Sequence, residues 1–212
     1  MAAAPPESPA APAPVVALLG PAGAGKSAVR EALARRGALT CDFDDYSREL
    51  LRPGTPEYAR FQREFGPGVF APDGSVDRRA LGALVFSEPQ ARARLNALLH
   101  PAMLNLLRAA LAAFRARPTA PLLVVEGALL GQLPTQGWFD RVVLVTAPAT
   151  LRAERLRAAR RLSPEAAAAL VRLHEAMGLD REAADYTLVN DGDRAALEVR
   201  VEDLWQELAG SG

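Results

Sequence analysis

The chain predicts an α/β fold, a parallel sheet covered by helices on both faces, with a helical insertion and a helical lid. Three observations carry this. Residues 15–36 pass from a short apolar run through a glycine-rich turn into a helical pattern. Further short apolar runs follow at Ala38–Cys41, Leu122–Val125, Arg141–Val145 and Tyr186–Val189. They are nearly continuous in apolar character, as strands buried between two layers are. The spans between them carry helix start and stop signals in place of alternation.

Val15–Leu19 is the first strand, and Gly20-Pro21-Ala22-Gly23-Ala24-Gly25-Lys26-Ser27 follows it directly. The pattern G-x-x-x-x-G-K-S is a phosphate-binding loop. Glycines let the backbone turn where a side chain would clash, so successive N–H groups can face phosphate oxygens. The helix predicted over Ser27–Arg36, and closed by Gly37, adds the positive end of its dipole. Gly20 to Gly25 and Ala28 are thus candidate ATP contacts; Lys26 is placed to reach the terminal phosphates and the Ser27 hydroxyl to ligate Mg²⁺. Of the 25 basic residues, Lys26 alone is a lysine, kept where a slim point charge is needed instead of a planar fork. The fold class narrows to a P-loop NTPase core.

Composition excludes other classes. Acidic and basic residues balance at 25 each, so nothing global points to nucleic acid or an anionic membrane. A lone cysteine rules out an internal disulfide framework and suits a reducing cytoplasm. No uninterrupted apolar run approaches the roughly 18 residues of a membrane span. The start lacks the basic and apolar regions of a signal peptide. Met1–Pro14 is an Ala/Pro tail outside the fold, and the expected state is a monomer.

The second strand ends in Asp42-Phe43-Asp44-Asp45. Carboxylates at the carboxyl end of a parallel strand lie on the rim where ligands bind. One can take a proton from a substrate hydroxyl or hold Mg²⁺ through water, and one can cap the next helix, expected at Tyr46–Arg52. Thr55-Pro56-Glu57 opens a helix to Phe65, and further helices are expected over Asp77–Phe86 and Glu88 to about Arg115, with Pro101 kinking or breaking the last. The span is a helical insertion, and at this place in a P-loop kinase an insertion commonly binds the phosphoryl acceptor. Glu126 ends the third strand. Thr150–Arg161 holds five arginines, Arg152, Arg155, Arg157, Arg160 and Arg161, where such kinases carry a lid, and Arg155 is the one expected over the transferring phosphoryl group. Ser163-Pro164 opens another helix and Asp193 caps the last, through Leu208. Neither His100 nor His174 matches a metal spacing; His100 is placed to face an acceptor, and His174 is expected on an ordinary helix surface. These elements give a core at about 15–44, 120–148 and 184–209, an insertion at about 45–119 and a lid at about 149–183.

From Val15 to Leu208 the chain resembles the dephospho-CoA kinase family. The resemblance is carried by Asp42-Phe43-Asp44 with Arg48, Pro53-Gly54-Thr55-Pro56, Asp73-Gly74-Ser75-Val76-Asp77-Arg78 and Leu95-Asn96-Ala97-Leu98-Leu99-His100-Pro101. Asp140-Arg141-Val142-Val143 and Ala184-Asp185-Tyr186 with Asn190-Asp191-Gly192 extend it. It implies transfer of the ATP γ-phosphoryl to the ribose 3′-hydroxyl of dephospho-CoA. It further implies Asp42 as general base beside Lys26, Arg155 as a lid arginine and Asn190 near adenine. Asp44, Arg48, Leu95, His100 and Glu126 are the implied acceptor contacts. The chain departs from the family pattern at Glu126-Gly127-Ala128-Leu129-Leu130-Gly131-Gln132, which lacks a proline, a phenylalanine and a final glutamate. It departs again at Ala159, where a second lid arginine is usual, and at Leu104 and His174.

Two other readings stay open: a kinase for a nucleoside or other small alcohol, and a nucleotide-binding regulator without catalysis. A GTPase is disfavoured, because a chain whose only lysine is Lys26 has no Asn-Lys-x-Asp motif.

Overall fold

The structure, a computed structural model, describes residues 13–127, 129–176 and 184–210. Most of the Ala/Pro tail, Ala128 and the later part of the expected lid lie outside the described residues. Five strands, β1 (Val15–Leu19), β2 (Leu39–Asp42), β3 (Leu123–Glu126), β4 (Arg141–Thr146) and β5 (Tyr186–Val189), form one sheet in the order β2-β3-β1-β4-β5. β1 lies at the centre, parallel to β3 (Val16 opposite Val124) and to β4 (Leu18 opposite Val143). β4 pairs in parallel with β5. β2 and β3 lie on one side of β1 and β4 and β5 on the other, so its carboxyl end is the point where strand order reverses, the usual place for a ligand in such a sheet.

Eight α-helices are described: α1 (Lys26–Arg35), α2 (Phe43–Leu50), α3 (Pro56–Phe65), α4 (Arg78–Ser87), α5 (Pro89–Ala116), α6 (Ala149–Arg160), α7 (Pro164–Ala176) and α8 (Arg194–Ala209). Their starts follow the caps. Thr55 Oγ1 accepts from the Tyr58 N–H, Ser163 Oγ from Ala166 and Asp193 Oδ1 from Ala196, so the expected Ser163 and Asp193 caps are present. The chain divides into two compact units, residues 1–41 with 113–212, and residues 42–112.

In the first unit, Val16, Leu18, Val124, Val143 and Val145 bury one face of the sheet with Val29 and Leu33 of α1 and Val201 and Leu204 of α8. Beside that core Arg36 joins α1 to α8 through Glu202 (2.8 Å) and Glu198 (3.1 Å), surface ion pairs of modest worth. Two carboxylates pin the amino ends of strands: Asp140 Oδ2 accepts from the Val15 N–H at 2.8 Å and Asp185 Oδ2 from the Val142 N–H at 2.7 Å. Each satisfies a backbone donor at the start of a strand, where the ladder has not begun.

The second unit is built around Phe61, which stacks on Phe65 and meets Phe70 edge-on. Three expectations are corrected here. α2 starts at Phe43 and not Tyr46, because Asp42 Oδ1 accepts the Asp44 N–H at 3.0 Å and closes the first turn directly after the strand. α5 is one helix through Pro101, neither broken nor ended there. Proline removes one backbone bond, while the buried side chains of Leu99, Met103, Leu107, Leu111 and Phe114, three or four residues apart, keep one apolar face through it. The same helix has an 18-residue window of mean hydropathy 1.4, so by length and composition one described helix is apolar enough to cross a membrane. The reading from uninterrupted runs missed it because single polar residues such as Asn105 and Arg108 break the run without lowering its mean much.

Leu204 is fully buried between α8 and the sheet core. Leu204→Ala is expected to cost about 2–5 kcal/mol in denaturant unfolding. A loss under about 1 kcal/mol would show that α8 is dispensable to that core.

Candidate active site

The turn after β1 depends on three residues with positive φ, Gly20 (151°), Gly23 (78°) and Gly25 (97°). All three are also tightly enclosed. A Cβ on Gly20 would lie 2.3 Å from the Val145 carbonyl oxygen, on Gly23 2.7 Å from that of Arg152, and on Gly25 2.1 Å from Asn190 Nδ2. Conformation and space therefore both require glycine.

A backbone that turns its N–H groups outward must turn carbonyls inward, and those carbonyls need donors. Lys26 Nζ donates to Gly20 O (2.9 Å) and Pro21 O (3.4 Å). Arg152 Nε donates to Ala22 O at 3.1 Å. Ala24 O accepts from Asn190 Nδ2 at 2.8 Å and, at 3.5 Å, from Arg155 Nη1. α1 has Gly25 as its N-cap, with no side-chain cap and no acidic residue in its first turn. Its first N–H groups and dipole are thus left for an anion.

At the end of β3, buried Glu126 accepts from Ser27 Oγ at 3.0 Å and from Arg30 Nε at 2.7 Å. A hydroxyl and a carboxylate oxygen beside a phosphate loop suit Mg²⁺, which takes one or two protein oxygens and completes its shell with phosphate and water. Among the described residues no group of three or more His, Cys, Asp or Glu forms a metal cage. Sequence reading placed Glu126 with the acceptor and passed over Arg30; only the fold shows that Glu126 joins Ser27 and Arg30.

The arginines of α6 separate by environment. Arg152 is 4% exposed, against the P-loop and Glu175. Arg155 is half-buried and donates to Asn190 O (3.1 Å) and Oδ1 (3.3 Å). Arg157, Arg160 and Arg161 are exposed. His174 is corrected: it is no ordinary surface histidine. Burial, then the charges of Lys26, Arg152 and Arg160, lower its pKa below the usual value. Gly25, Ala28, Arg155, Asn190 and Gly192 line a cleft of about 310 Å³ next to the loop, continued by Glu31, Arg35 and the start of α8. The structure thus brings together Gly20–Ala28, Glu126, Arg155 and Asn190.

The other predicted residues belong to the second unit. Asp42 caps α2. Asp44 and Arg48 are exposed, Arg48 paired with Asp45. Arg78 lies close enough to Arg48 and Asp45 to feel both charges, and burial lowers its pKa first. On α5, Leu95 and His100 are half-buried, one turn and more apart, and burial lowers the His100 pKa.

The core, its glycine loop and the helices around it define a P-loop kinase. Shikimate kinase from Bacteroides thetaiotaomicron shares the fold at a TM-score of 0.52, with 16% identity over 92% of this chain and 97% of that one. The dephospho-CoA kinase family model matches residues 14–196, and the chain belongs to that family. It is 40% identical to the dephospho-CoA kinase of Frankia casuarinae over 91% of this chain and 82% of that protein. It is 35% identical to that of Moorella thermoacetica over 92% of both. Among solved structures, TT1252 from Thermus thermophilus superposes with a TM-score of 0.73 at 31% identity, covering 92% of this chain and 97% of that one.

The depressed histidines have a consequence for stability. A histidine whose folded pKa lies below its unfolded value binds fewer protons when folded, so stability is full above about pH 6.5 and falls as pH drops below it. Thermal unfolding midpoints should therefore decline between pH 7.5 and 5.5. His174→Gln should flatten that decline without removing the part due to His100. An identical pH profile for His174→Gln would mean that its surroundings do not resist the charge.

Proposed function

We propose that this chain transfers the γ-phosphoryl group of ATP to the ribose 3′-hydroxyl of dephospho-CoA, giving coenzyme A and ADP. The observation that carries the reading is a complete phosphate cradle in a member of this family. The glycine turn of residues 20–25, an α1 terminus without a side-chain cap and the Lys26 ammonium beside the turn make up that cradle.

ATP lies with its phosphates on that loop and its base in the cleft bordered by Gly25, Arg155, Asn190 and Gly192. Lys26 exchanges its carbonyl contacts for the β- and γ-phosphates, where its charge offsets what builds up as the phosphoryl group moves. Ser27, with Glu126 behind it, would hold Mg²⁺, and the ion would supply charge neutralisation at the terminal phosphates. Arg30 holds Glu126 in place through its ion pair at 2.7 Å, and Glu126 accepts from Ser27 Oγ. Asp42 accepts the proton of the acceptor hydroxyl; capping α2 fixes its rotamer, as a base must be fixed. Asp44, Arg48, Leu95 and His100 supply the acceptor surface, and Arg155 on the lid helix follows the transferring group.

A kinase for another small alcohol is the reading to exclude, because the stretch after Glu126 departs from the family pattern. That stretch forms a tight helical turn at Leu130–Gln132 with Leu130 buried. ADP release from Mg-ATP should occur with dephospho-CoA, yielding coenzyme A, and not with adenosine or common nucleosides. Turnover of a nucleoside alone would discard the acceptor and keep the kinase.

Asp42→Asn should lower kcat by about 10²–10⁴ while the KM for ATP stays within a few-fold. Unchanged turnover would remove Asp42 from the reaction. Lys26→Ala should raise the KM for ATP and lower kcat together, and normal kinetics in that variant would defeat the phosphate-site assignment.

A further inference from the structure

We propose that Asn190 is a positioning residue: its side chain locks the P-loop to the lid arginine Arg155 and does not read the adenine base. It has a catalytic consequence only if ATP occupies the loop as proposed above, but the lock itself is a property of the protein without ligand.

Asn190 directly follows β5, where its N–H donates to Thr146 O at the end of β4 at 2.7 Å. The residue is 4% exposed. Its Nδ2 donates to Ala24 O at 2.8 Å, inside the phosphate loop. Its Oδ1 accepts from Arg155 Nη2 at 3.3 Å and its backbone O from Arg155 Nη1 at 3.1 Å. Arg155 Nη1 also reaches Ala24 O at 3.5 Å, which closes a ring of three residues from three different elements.

A primary amide has one carbonyl oxygen and one NH₂ group, and hydrogen-bond recognition of adenine would use both. Here the oxygen is engaged by a guanidinium and the nitrogen by a carbonyl of the loop. The approach is permitted only by Gly25, where a Cβ would lie 2.1 Å from Nδ2. The glycine of the Gly25-Lys26-Ser27 segment thus makes room for this amide as well as for the turn. The geometry has a directional result. With the Ala24 carbonyl held inward by Asn190, the peptide that follows it keeps its N–H turned to the phosphate side. Arg155, held by the same residue, starts from a fixed place at the edge of the nucleotide cleft.

Positioning and base reading differ in what they move. The full-length protein, Asn190→Ala, Asn190→Asp, Arg155→Ala and the double variant Asn190→Ala/Arg155→Ala would be compared by hydrogen exchange of residues 20–25 without ligand, and by kinetics with ATP and GTP. Losing the lock should speed loop exchange about tenfold, the scale of one buried hydrogen bond to a polar partner. It should lower kcat about tenfold with the KM for ATP changed less than about threefold and the ATP-over-GTP preference kept. Asn190→Asp keeps an acceptor for Arg155 but sets a carboxylate against the Ala24 carbonyl, so it should show the same faster exchange even where Asn190→Ala does not fold. In loop exchange the double variant should fall short of the sum of the two single changes, because both remove the Arg155–Asn190 Oδ1 contact. Unchanged loop exchange in both Asn190 variants overturns the lock. So does a tenfold rise in the KM for ATP with lost preference over GTP and a kcat left intact. Absence of wild-type turnover with dephospho-CoA would count against the proposed reaction only; the exchange result would still decide the lock.

Discussion

The phosphate loop imposes one constraint on everything near it: a backbone that turns its donors to a ligand must have its acceptors satisfied from behind. Gly20 O and Pro21 O take the Lys26 ammonium, Ala22 O takes Arg152, and Ala24 O takes Asn190 and Arg155. Three of the four donors carry a full positive charge, so the loop sits in a shell of cations even before an anion arrives. Charge-assisted donors also hold a carbonyl more firmly than neutral ones. The arrangement stiffens the turn and biases its field in one direction.

That constraint explains why distant parts of the chain must be placed together. Arg152 and Arg155 come from α6, Asn190 from the residue after β5, and Val145 of β4 closes on Gly20. The parallel sheet with β1 at its centre supplies the means, since β3 and β4 flank the strand that delivers the loop and β5 flanks β4. The carboxylates at the opposite end serve the same purpose. Asp140 and Asp185 fix where β1 and β4 begin, and in a parallel pair that sets how far each strand projects at its carboxyl end.

Local chemistry was legible in the sequence; partnership across the chain was not. The phosphate loop, five strands, and the Ser163 and Asp193 caps announce themselves through spacing and residue type within a few positions. The run of arginines on α6 looks uniform along the chain, yet the fold buries Arg152, docks Arg155 and leaves Arg157, Arg160 and Arg161 in solvent. His174 looked like surface because nothing near it in sequence signals that Lys26 and Arg152 will be its neighbours. Asp140 and Asp185 were visible only as matches to a pattern. Their bonds to Val15 and Val142 supply the physical reason for a carboxylate at each place.

The pairing of Glu126 with both Ser27 and Arg30 links the fold to the reaction most directly. A buried carboxylate without a partner carries a large desolvation cost. Arg30, one turn after Ser27 on α1, supplies that partner from the helix that carries the loop's hydroxyl. Glu126 is therefore held in place without help from ligand, and the Ser27 hydroxyl is already oriented by it at 3.0 Å. A hydroxyl and carboxylate held in this way need little reorganisation when a ligand arrives. Reorganisation avoided at that step is what a preorganised site contributes to phosphoryl transfer, where the protein forms no covalent bond of its own and acts through placement and field.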